Sequence, residues 1–180
     1  MEDVSLFLKA LHFAADKHRD QKRKDVDASP YINHPIYVAQ ILADIGGVDD
    51  LGVLAAAVLH DTVEDTEAES ADIEREFGAR IARIVGEVTD DKSLSKSERK
   101  RLQIEHARHM SEEGALVKVA DKIANVRDVA SNPPADWDAA RRKDYLDWAE
   151  KVVAKCKPEC PELLSYFEES LVNAREGLAS

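Results

Sequence analysis

The chain has 180 residues, a length that suits one ordinary domain with a substantial core and is too short for two large ones. Its 25 basic and 36 acidic side chains give a formal net charge of −11, which disfavours nucleic acid as a bulk partner because phosphate backbones bind basic surfaces. A hydrophobic content of 44% argues against a disordered acidic chain, and no stretch approaches the roughly 18–20 apolar residues of a membrane span.

Apolar residues recur at helical spacing along most of the chain, and no alternating strand pattern extends over more than a few residues. The predicted helices, in chain order, cover residues 6–18, 35–45, 51–64, 70–78, 79–88, 102–109, 116–129, 137–155 and 162–178. The candidate helix caps are Asp49 or Asp50, Ser70 and Asp136, and Pro35 suits a first helical position. We therefore expect an all-α bundle of about eight to ten helices.

The same pattern predicts one domain over residues 1–180, with a motif-bearing core over about 6–153 and a C-terminal helix over about 162–178. The longest irregular stretches, 21–33 and 89–96, are rich in charge, and functional residues concentrate on such loops. The start of the chain, Met1-Glu2-Asp3-Val4, is acidic and lacks the basic segment of a secretory signal, so we expect a cytoplasmic protein.

Two cysteines, Cys156 and Cys160, stand four positions apart on either side of a proline. We expect two reduced thiols, and the alternative is a strained local disulfide or half of a metal site. A zinc site with four cysteines is excluded because the chain has no second cysteine pair.

The most apolar predicted helix ends in the sequence His-Asp-Thr-Val-Glu-Asp-Thr at positions 60–66. Ionisable groups at the end of a buried helix are costly unless they are paired or bind a metal. Helical spacing places His60 beside Glu64 and Asp61 beside Asp65, and imidazole with carboxylate suits a divalent transition ion. The alternative is a helix end with acidic side chains that face solvent.

Two further segments supply residues of the same kind. His34 stands at the start of a predicted helix, where alone it suits a capping or core position. Asp121 lies inside an apolar helix, where alone it suits an ion pair with Lys118 or Lys122. The combined set of two imidazoles and two carboxylates, drawn from three helices, is His34, His60, Asp61 and Asp121.

This ordered set resembles the HD superfamily of metal-dependent phosphohydrolases. The longer motifs, which resemble the hydrolase domain of the RelA/SpoT alarmone enzymes, are Tyr31-x-x-His34-Pro35, His60-Asp61-x-x-Glu64-Asp65-Thr66 and Lys118-x-Ala120-Asp121-Lys122-x-x-Asn125-x-Arg127. Residues 88–92 and 98–103 are similar to the small stand-alone branch, which includes the metazoan SpoT homologs. The similarity runs over about 6–153.

The resemblance implies hydrolysis of ppGpp or pppGpp, which releases pyrophosphate and GDP or GTP. The implied ligands of one divalent ion, usually Mn²⁺, are His34, His60, Asp61 and Asp121. Such an ion lowers the pKa of water and polarises a phosphoryl oxygen. Glu64 and Asp65 lie one helical turn beyond these ligands, so we expect Glu64 to act as the base and Asp65 as its partner. The alternative for either carboxylate is a structural hydrogen bond.

Positive charge lies in three short clusters, at 22–24, 96–101 and 141–143, next to the motif segments. By resemblance, Arg23, Lys24, Asn125 and Tyr145 contact the nucleotide. Arginine binds phosphate bidentately and lysine supplies a point charge, and each tyrosine either stacks on a base or packs in the core. The full set of candidate substrate-binding residues is Arg23, Lys24, Tyr31, Lys96, Asn125, Arg142 and Tyr145.

Three alternatives use the same residues differently. The same site could remove the 2′-phosphate of NADPH or act on ppApp-type nucleotides, since all of these present phosphate near a ribose. A nucleotide-binding regulatory module would keep the fold without turnover, but the intact His60-Asp61 and Glu64-Asp65 pairs argue against it. A metal-free helical bundle would retain no Mn²⁺. We expect no nucleic-acid partner and no membrane partner, and the oligomeric state is left open.

Overall fold

The structure is a computed structural model that describes residues 4–179. Within that range the chain forms ten helical segments, and this confirms the predicted all-α fold. They are α1 (Val4–Lys17), α2 (Asn33–Asp44), α3 (Leu51–Leu59), α4 (Thr62–Asp65), α5 (Ser70–Phe77), α6 (Ala79–Val88), α7 (Lys96–Ala107), α8 (Glu112–Ser131), α9 (Ala139–Cys156) and α10 (Pro161–Ala179). Of residues 1–4, on which the prediction about a secretory signal depends, the first three lie outside the described residues.

Helix α3 lies at the centre of the bundle because nearly all of its side chains are apolar. Every residue from Gly52 to Leu59 is buried, and the helix packs against α1, α2, α6 and α8. The carboxylate of Asp50 accepts hydrogen bonds from the main-chain N–H groups of Gly52 and Val53, which satisfies two donors at the helix start. Of the two predicted caps, Asp50 is therefore the one used.

The predicted helix over 51–64 is divided in two. Helix α3 ends at Leu59, and the single turn α4 begins at Thr62. The Thr62 hydroxyl donates to the carbonyl oxygen of Leu59 at 2.6 Å, which occupies a main-chain acceptor at the end of the helix. This break directs His60 and Asp61 out of the helix end toward neighbouring helices.

Helix α8 is the second central element, and it runs for 20 residues with α2, α6, α9 and α10 packed against it. It carries three buried charged residues, Lys118, Asp121 and Lys122, among apolar neighbours. Buried charges are expensive unless they are paired or bind an ion, so this part of α8 has a role other than filling the core.

Several helix boundaries differ from the predicted ones because a neighbouring side chain provides the cap. Helix α7 begins at Lys96 rather than 102, since the Ser95 hydroxyl accepts from the N–H of Glu98 at 3.2 Å. Glu69 rather than Ser70 caps α5, in a reciprocal pair with Asp72. Helix α9 is capped by Asp138 instead of Asp136.

Cys156 and Cys160 are both buried free thiols, as expected. Among the described residues, no helix combines the length and the apolar character that crossing a lipid bilayer requires.

Candidate active site

The first turn of α2 places His34 inside the bundle. The preceding loop is held at its two ends, where the N–H of Tyr31 donates to the carbonyl of Gln21 at 3.0 Å. Pro35 is the third residue of α2 rather than the first, and a proline is tolerated there because the first N–H groups of a helix have no acceptor within it. The side chain of His34 is buried and points toward α8.

The four candidate metal ligands converge from α2, α8 and the end of α3. Nε2 of His34 lies 3.2 Å from Oδ1 of Asp121 and 3.8 Å from Oδ2 of Asp61. Nε2 of His60 lies 3.1 Å from Oδ2 of Asp61 and 3.7 Å from Oδ1 of Asp121. One ligand atom each from His34, His60 and Asp121 falls within 4.8 Å of the others. Residues up to 87 positions apart in the chain are thus brought to one point.

The hydrogen bonds of His60 favour a cation at this point. Its Nδ1 lies 2.7 Å from the carbonyl oxygen of Ala57, and because a carbonyl only accepts, Nδ1 carries the proton of the neutral ring. Its Nε2 is buried without a hydrogen-bond partner among residues 4–179 and faces the oxygens of Asp61 and Asp121. A nitrogen lone pair against carboxylate oxygens is repulsive unless a cation lies between them, so these residues fit a divalent ion.

The pKa shifts of His60 and Asp121 arise from the attraction between their imidazole and carboxylate groups in a buried cluster. Burial lowers the pKa of His60, but the carboxylates of Asp61 and Asp121 raise it to about 10, so when no ion is bound a proton on Nε2 takes the place of the cation. Burial raises the pKa of Asp121, but Lys122 and the two imidazoles hold it well below its usual range. The carboxylates therefore stay ionised, and the cluster attracts positive charge.

Two neighbours on α8 fix the orientation of Asp121. The amide of Asn125 donates to Oδ1 at 2.6 Å, and the ammonium of Lys122 donates to Oδ2 at 3.0 Å. The Lys122 ammonium also lies 4.6 Å from the ring centre of Trp148. Asn125, expected to contact the nucleotide, thus also holds a candidate metal ligand.

Tyr31 supports a second candidate ligand. Its hydroxyl donates to Oδ2 of Asp61 at 2.5 Å, and its ring lies 4.8 Å from the buried ring of His18. Burial and the Asp61 charge raise the pKa of Tyr31, so its hydroxyl keeps the proton that it donates.

The two candidate catalytic carboxylates occupy the single turn α4. Oε2 of Glu64 accepts from the N–H of Asp90 at 3.0 Å, and Oε1 lies 3.7 Å from Nη1 of Arg99. Burial is the main cause that raises the pKa of Glu64 to about 7. The carboxylate of Asp65 pairs with the ammonium of Lys92. Helix α4 therefore presents one carboxylate poised near neutral pH and one that is neutralised by lysine.

A cavity of about 320 Å³ opens between α4, α8 and the loop before α2. Of the residues predicted to act on substrate, those that line it are Arg23, Lys24, Tyr31, Asp65, Asn125 and Tyr145. A second cleft of about 290 Å³ shares Trp137 and Tyr145 with the cavity and is also lined by Lys96. Aromatic walls with cations around them suit a nucleotide with several phosphates.

Arg142 lies outside the residues that line the cavity and the cleft. Its guanidinium donates to the carbonyl oxygen of Trp137 at 3.1 Å, whereas the adjacent Arg141 lines the cleft and lies 4.8 Å from the Trp137 ring centre. The prediction that Arg142 binds substrate stays a prediction.

Sequence reasoning missed several residues around the site. Lys92 lies in a motif segment and Arg99 in a motif segment that is also a basic cluster, but the sequence links neither to Glu64 or Asp65. Lys122, by contrast, is expected as one possible partner of Asp121, and the structure contains that ion pair. Trp137 follows the Asn132-Pro133-Pro134 break, and nothing in the pattern marks its side chain as part of a site.

Residues 10–147 match the family described as HD domain. The chain belongs to the HD domain family. Among HD domain relatives, guanosine-3′,5′-bis(diphosphate) 3′-pyrophosphohydrolase MESH1 of Xenopus tropicalis is 53% identical over 151 residues, or 84% of each chain. The Homo sapiens protein of that name is 52% identical over the same length and share. GTP pyrophosphokinase rsh of Brucella melitensis is 40% identical over 129 residues, which are 68% of this chain and 17% of that protein.

Solved structures of similar proteins share the fold. One, described as "A metazoan ortholog of SpoT hydrolyzes ppGpp and plays a role in starvation responses", has a TM-score of 0.92 and 45% identity and covers 99% of both chains. The protein lmo0812 of Listeria monocytogenes EGD-e has a TM-score of 0.64 and 30% identity, covering 82% of this chain and 99% of its own. These relatives confirm the resemblance to the metazoan SpoT branch of the HD domain family.

Proposed function

We propose that this chain removes the 3′-pyrophosphate of ppGpp and pppGpp, with GDP or GTP and pyrophosphate as products. The observation that carries the proposal is the convergence of two imidazoles and two carboxylates beside a cavity lined by cations and aromatic rings. The substrate class is supported by the 53% identity of this chain to guanosine-3′,5′-bis(diphosphate) 3′-pyrophosphohydrolase MESH1 of Xenopus tropicalis, over 84% of each chain.

We further propose that the ion is Mn²⁺. The residues that would hold it are His34, His60, Asp61 and Asp121. The two carboxylates supply the oxygen ligands that suit Mn²⁺, and the resemblance to the RelA/SpoT hydrolase domain supports Mn²⁺ over the other ions that imidazole binds. When bound, such an ion supplies Lewis acidity to a phosphoryl oxygen and makes a water molecule more acidic.

Glu64 receives the proton of the attacking water. A general base works best when its pKa lies near the working pH, and burial raises the pKa of Glu64 to about 7. Oε2 accepts a hydrogen bond from the Asp90 N–H, and the charge of Arg99 lies 3.7 Å from Oε1, so both contacts favour one orientation of the carboxylate. Asp65, paired with Lys92, holds the neighbouring part of α4 against the α6–α7 loop and lines the cavity.

The cavity orients the nucleotide so that its 3′-pyrophosphate meets the ion and Glu64. Arg23 and Lys24 bind phosphate oxygens of the nucleotide. The side-chain amide of Asn125 contacts the ribose and the phosphate attached to it. The ring of Tyr145, between Trp137 and Trp148 at 5.4 Å from each, supplies the apolar wall. Lys96 neutralises phosphate from the adjoining cleft. Although the chain has a net charge of −11, basic side chains line both the cavity and the cleft.

The proposal is tested by incubating the protein with MnCl₂ and one of ppGpp, NADPH or ppApp, and then separating pyrophosphate from orthophosphate. We expect pyrophosphate from ppGpp. Asp61→Ala should lose both ion and turnover, and Glu64→Gln should lose turnover and keep the ion. Orthophosphate from NADPH alone would overturn the alarmone assignment, and tight ppGpp binding without product would identify a regulatory module.

Metal identity is tested separately. The protein is stripped with a chelator, reloaded with Mn²⁺, Mg²⁺, Fe²⁺ or Zn²⁺, and assayed with ppGpp. We expect Mn²⁺ to restore the most activity, and full restoration by Zn²⁺ alone would overturn the assignment.

We also propose that residues 1–180 form one domain in the cytoplasm. The packing of α10 against α8 and α9 supports one domain, since the last helix covers the motif-bearing core. The two free thiols support a reducing compartment.

A further inference from the structure

The loop between α6 and α7 contacts both carboxylates of α4. The main-chain N–H of Asp90 donates to Oε2 of Glu64 at 3.0 Å, and the ammonium of Lys92 pairs with Asp65. Because one short loop supplies a donor to each carboxylate, the position of this loop affects the orientation of both.

The loop is in turn held by α7. The side-chain amide of Gln103 donates to Oδ2 of Asp90 at 2.5 Å, so Asp90 is bonded on its side chain by α7 and on its main chain by Glu64. Oε1 of Gln103 is buried and finds no donor among residues 4–179. A buried carbonyl oxygen without a donor lowers the stability of the fold. A role in stability alone therefore does not explain why Gln103 occupies this position, and its hydrogen bond to Asp90 points to a different role.

Arg99, which also lies on α7, is close to the other carboxylate oxygen of Glu64. It stands one turn before Gln103 on α7, and its Nη1 lies 3.7 Å from Oε1 of Glu64. Both Glu64 oxygens therefore depend on where α7 lies, one directly and one through Asp90.

We propose that Gln103 is a positioning residue for Glu64 and acts through Asp90. This inference rests on the proposed function, in which Glu64 takes a proton from water. Without the Gln103 amide, the Asp90 side chain loses its anchor, and the N–H that fixes Oε2 of Glu64 moves with it. A general base that is misplaced by about 1 Å loses up to roughly 100-fold in rate.

The charged groups around Glu64 come from every element packed on it. Asp61 and Asp65 flank it in sequence, Asp90 faces it from the loop, Arg99 faces it from α7, and Lys118 acts on it from α8. None of these charges changes when Gln103 is replaced by an uncharged residue, so Gln103→Met tests the hydrogen bond alone.

The experiment exchanges the partners of one hydrogen bond. Gln103→Glu sets a carboxylate against the carboxylate of Asp90, and Gln103→Glu with Asp90→Asn restores a donor–acceptor pair with the roles reversed. We expect kcat to fall roughly 10- to 100-fold in both single variants at position 103, with KM within about threefold, and the double variant to recover most of the loss. The matched control on α7 is Glu105→Gln, an exposed residue paired with Arg101, which should behave as the wild type.

Two further measurements separate positioning from folding and from the proposed reaction. In a Glu64→Gln background, Gln103→Glu should cause no additional loss, because the residue that it positions is already gone. The exchange rate of the Asp90 amide hydrogen, measured by NMR, should rise at least tenfold in Gln103→Glu and not in Glu105→Gln. Unchanged exchange, or an equal kcat loss in both backgrounds, would overturn the inference. Absence of ppGpp turnover in the wild type would overturn the proposed function alone, since amide exchange still tests Gln103.

Discussion

Nε2 of His34 and Oδ1 of Asp121 lie 3.2 Å apart, although 87 positions separate the two residues in the chain. The contact joins the first turn of α2 to the middle of α8, and both helices also pack against α3, which ends beside His60. The candidate metal site is therefore a product of helix packing.

Asp121→Asn should remove the ion, and it should also lower the Tm in the absence of Mn²⁺ because it leaves the buried ammonium of Lys122 without its counter-charge. The asparagine keeps the shape of the side chain and an acceptor for Asn125 but loses the charge that faces His34 and His60. An ion that binds only the folded protein stabilises it, by about 2.7 kcal/mol at 100 times its Kd. We therefore expect Mn²⁺ to raise the Tm of the wild type and not of Asp121→Asn, measured by calorimetry.

The control for this variant is Asp44→Asn, an exposed aspartate at the end of α2. It should respond to Mn²⁺ and to a chelator as the wild type does. Equal Mn²⁺ content per chain in Asp121→Asn and Asp44→Asn would remove Asp121 from the ligand set.

We expect the plot of kcat against pH to fall on its acid side, with a midpoint at or below pH 7. Burial raises the pKa of Glu64 to about 7, and the protonated form cannot accept a proton from water. The rate therefore falls as the pH drops through the pKa, and a dication on the nearby carboxylates moves the limb toward lower pH. The measurement is kcat against pH from 5 to 9, in buffers of equal ionic strength.

Glu64→Gln supplies the comparison for the pH profile. Its residual rate should lack the acid limb, since an amide does not titrate in this range. A limb of the same position in both proteins would assign it to a different group.

The sequence predicted the candidate ligands because their residue types are rare in the places where they occur. A histidine-aspartate pair that ends an all-apolar helix, and an aspartate inside another apolar helix, both require partners. The meeting of these residues requires α2 and α8 to pack against α3, and the apolar residues of all three helices favour that packing.

Some residues of the site could not be identified from the sequence, because their roles depend on the direction in which a side chain points. Adjacent positions on a helix point about 100° apart, so a run such as 141–143 shows that cations lie near the site without showing which one faces it. The structure brings Arg141 to the cleft and leaves Arg142 at the Trp137 carbonyl. Likewise, the link from Gln103 to Glu64 passes through a main-chain N–H, which no side-chain pattern records.

Tyr31→Phe should weaken the ion site without disturbing the cavity wall. The variant keeps the ring that packs on His18 and deletes only the hydroxyl that donates to Asp61. Loss of a hydrogen bond that orients a metal ligand typically costs about 10- to 100-fold in metal affinity, so the Kd for Mn²⁺ should rise roughly tenfold or more. Titration calorimetry measures this. Tyr31→Leu, which also loses the ring, should lower the Tm as well. An unchanged Kd in Tyr31→Phe would show that the hydroxyl does not support Asp61.

Two glycines should respond in opposite directions to the same substitution. A Cβ at Gly46 would lie 2.8 Å from the carbonyl oxygen of Leu42 and 3.1 Å from Leu163 of α10, so Gly46→Ala must displace main chain and should destabilise by about 1–3 kcal/mol. A Cβ at Gly86 meets nothing within 4 Å.

Gly86→Ala should therefore stabilise α6 by about 0.5–1 kcal/mol, because alanine loses less conformational entropy than glycine when a helix forms. Urea unfolding of both variants beside the wild type gives the two free-energy differences, and equal m-values establish that the same transition is compared. Destabilisation of equal size in both variants would show that the close approach of Gly46 to α10 does not limit the packing of the last helix on the core.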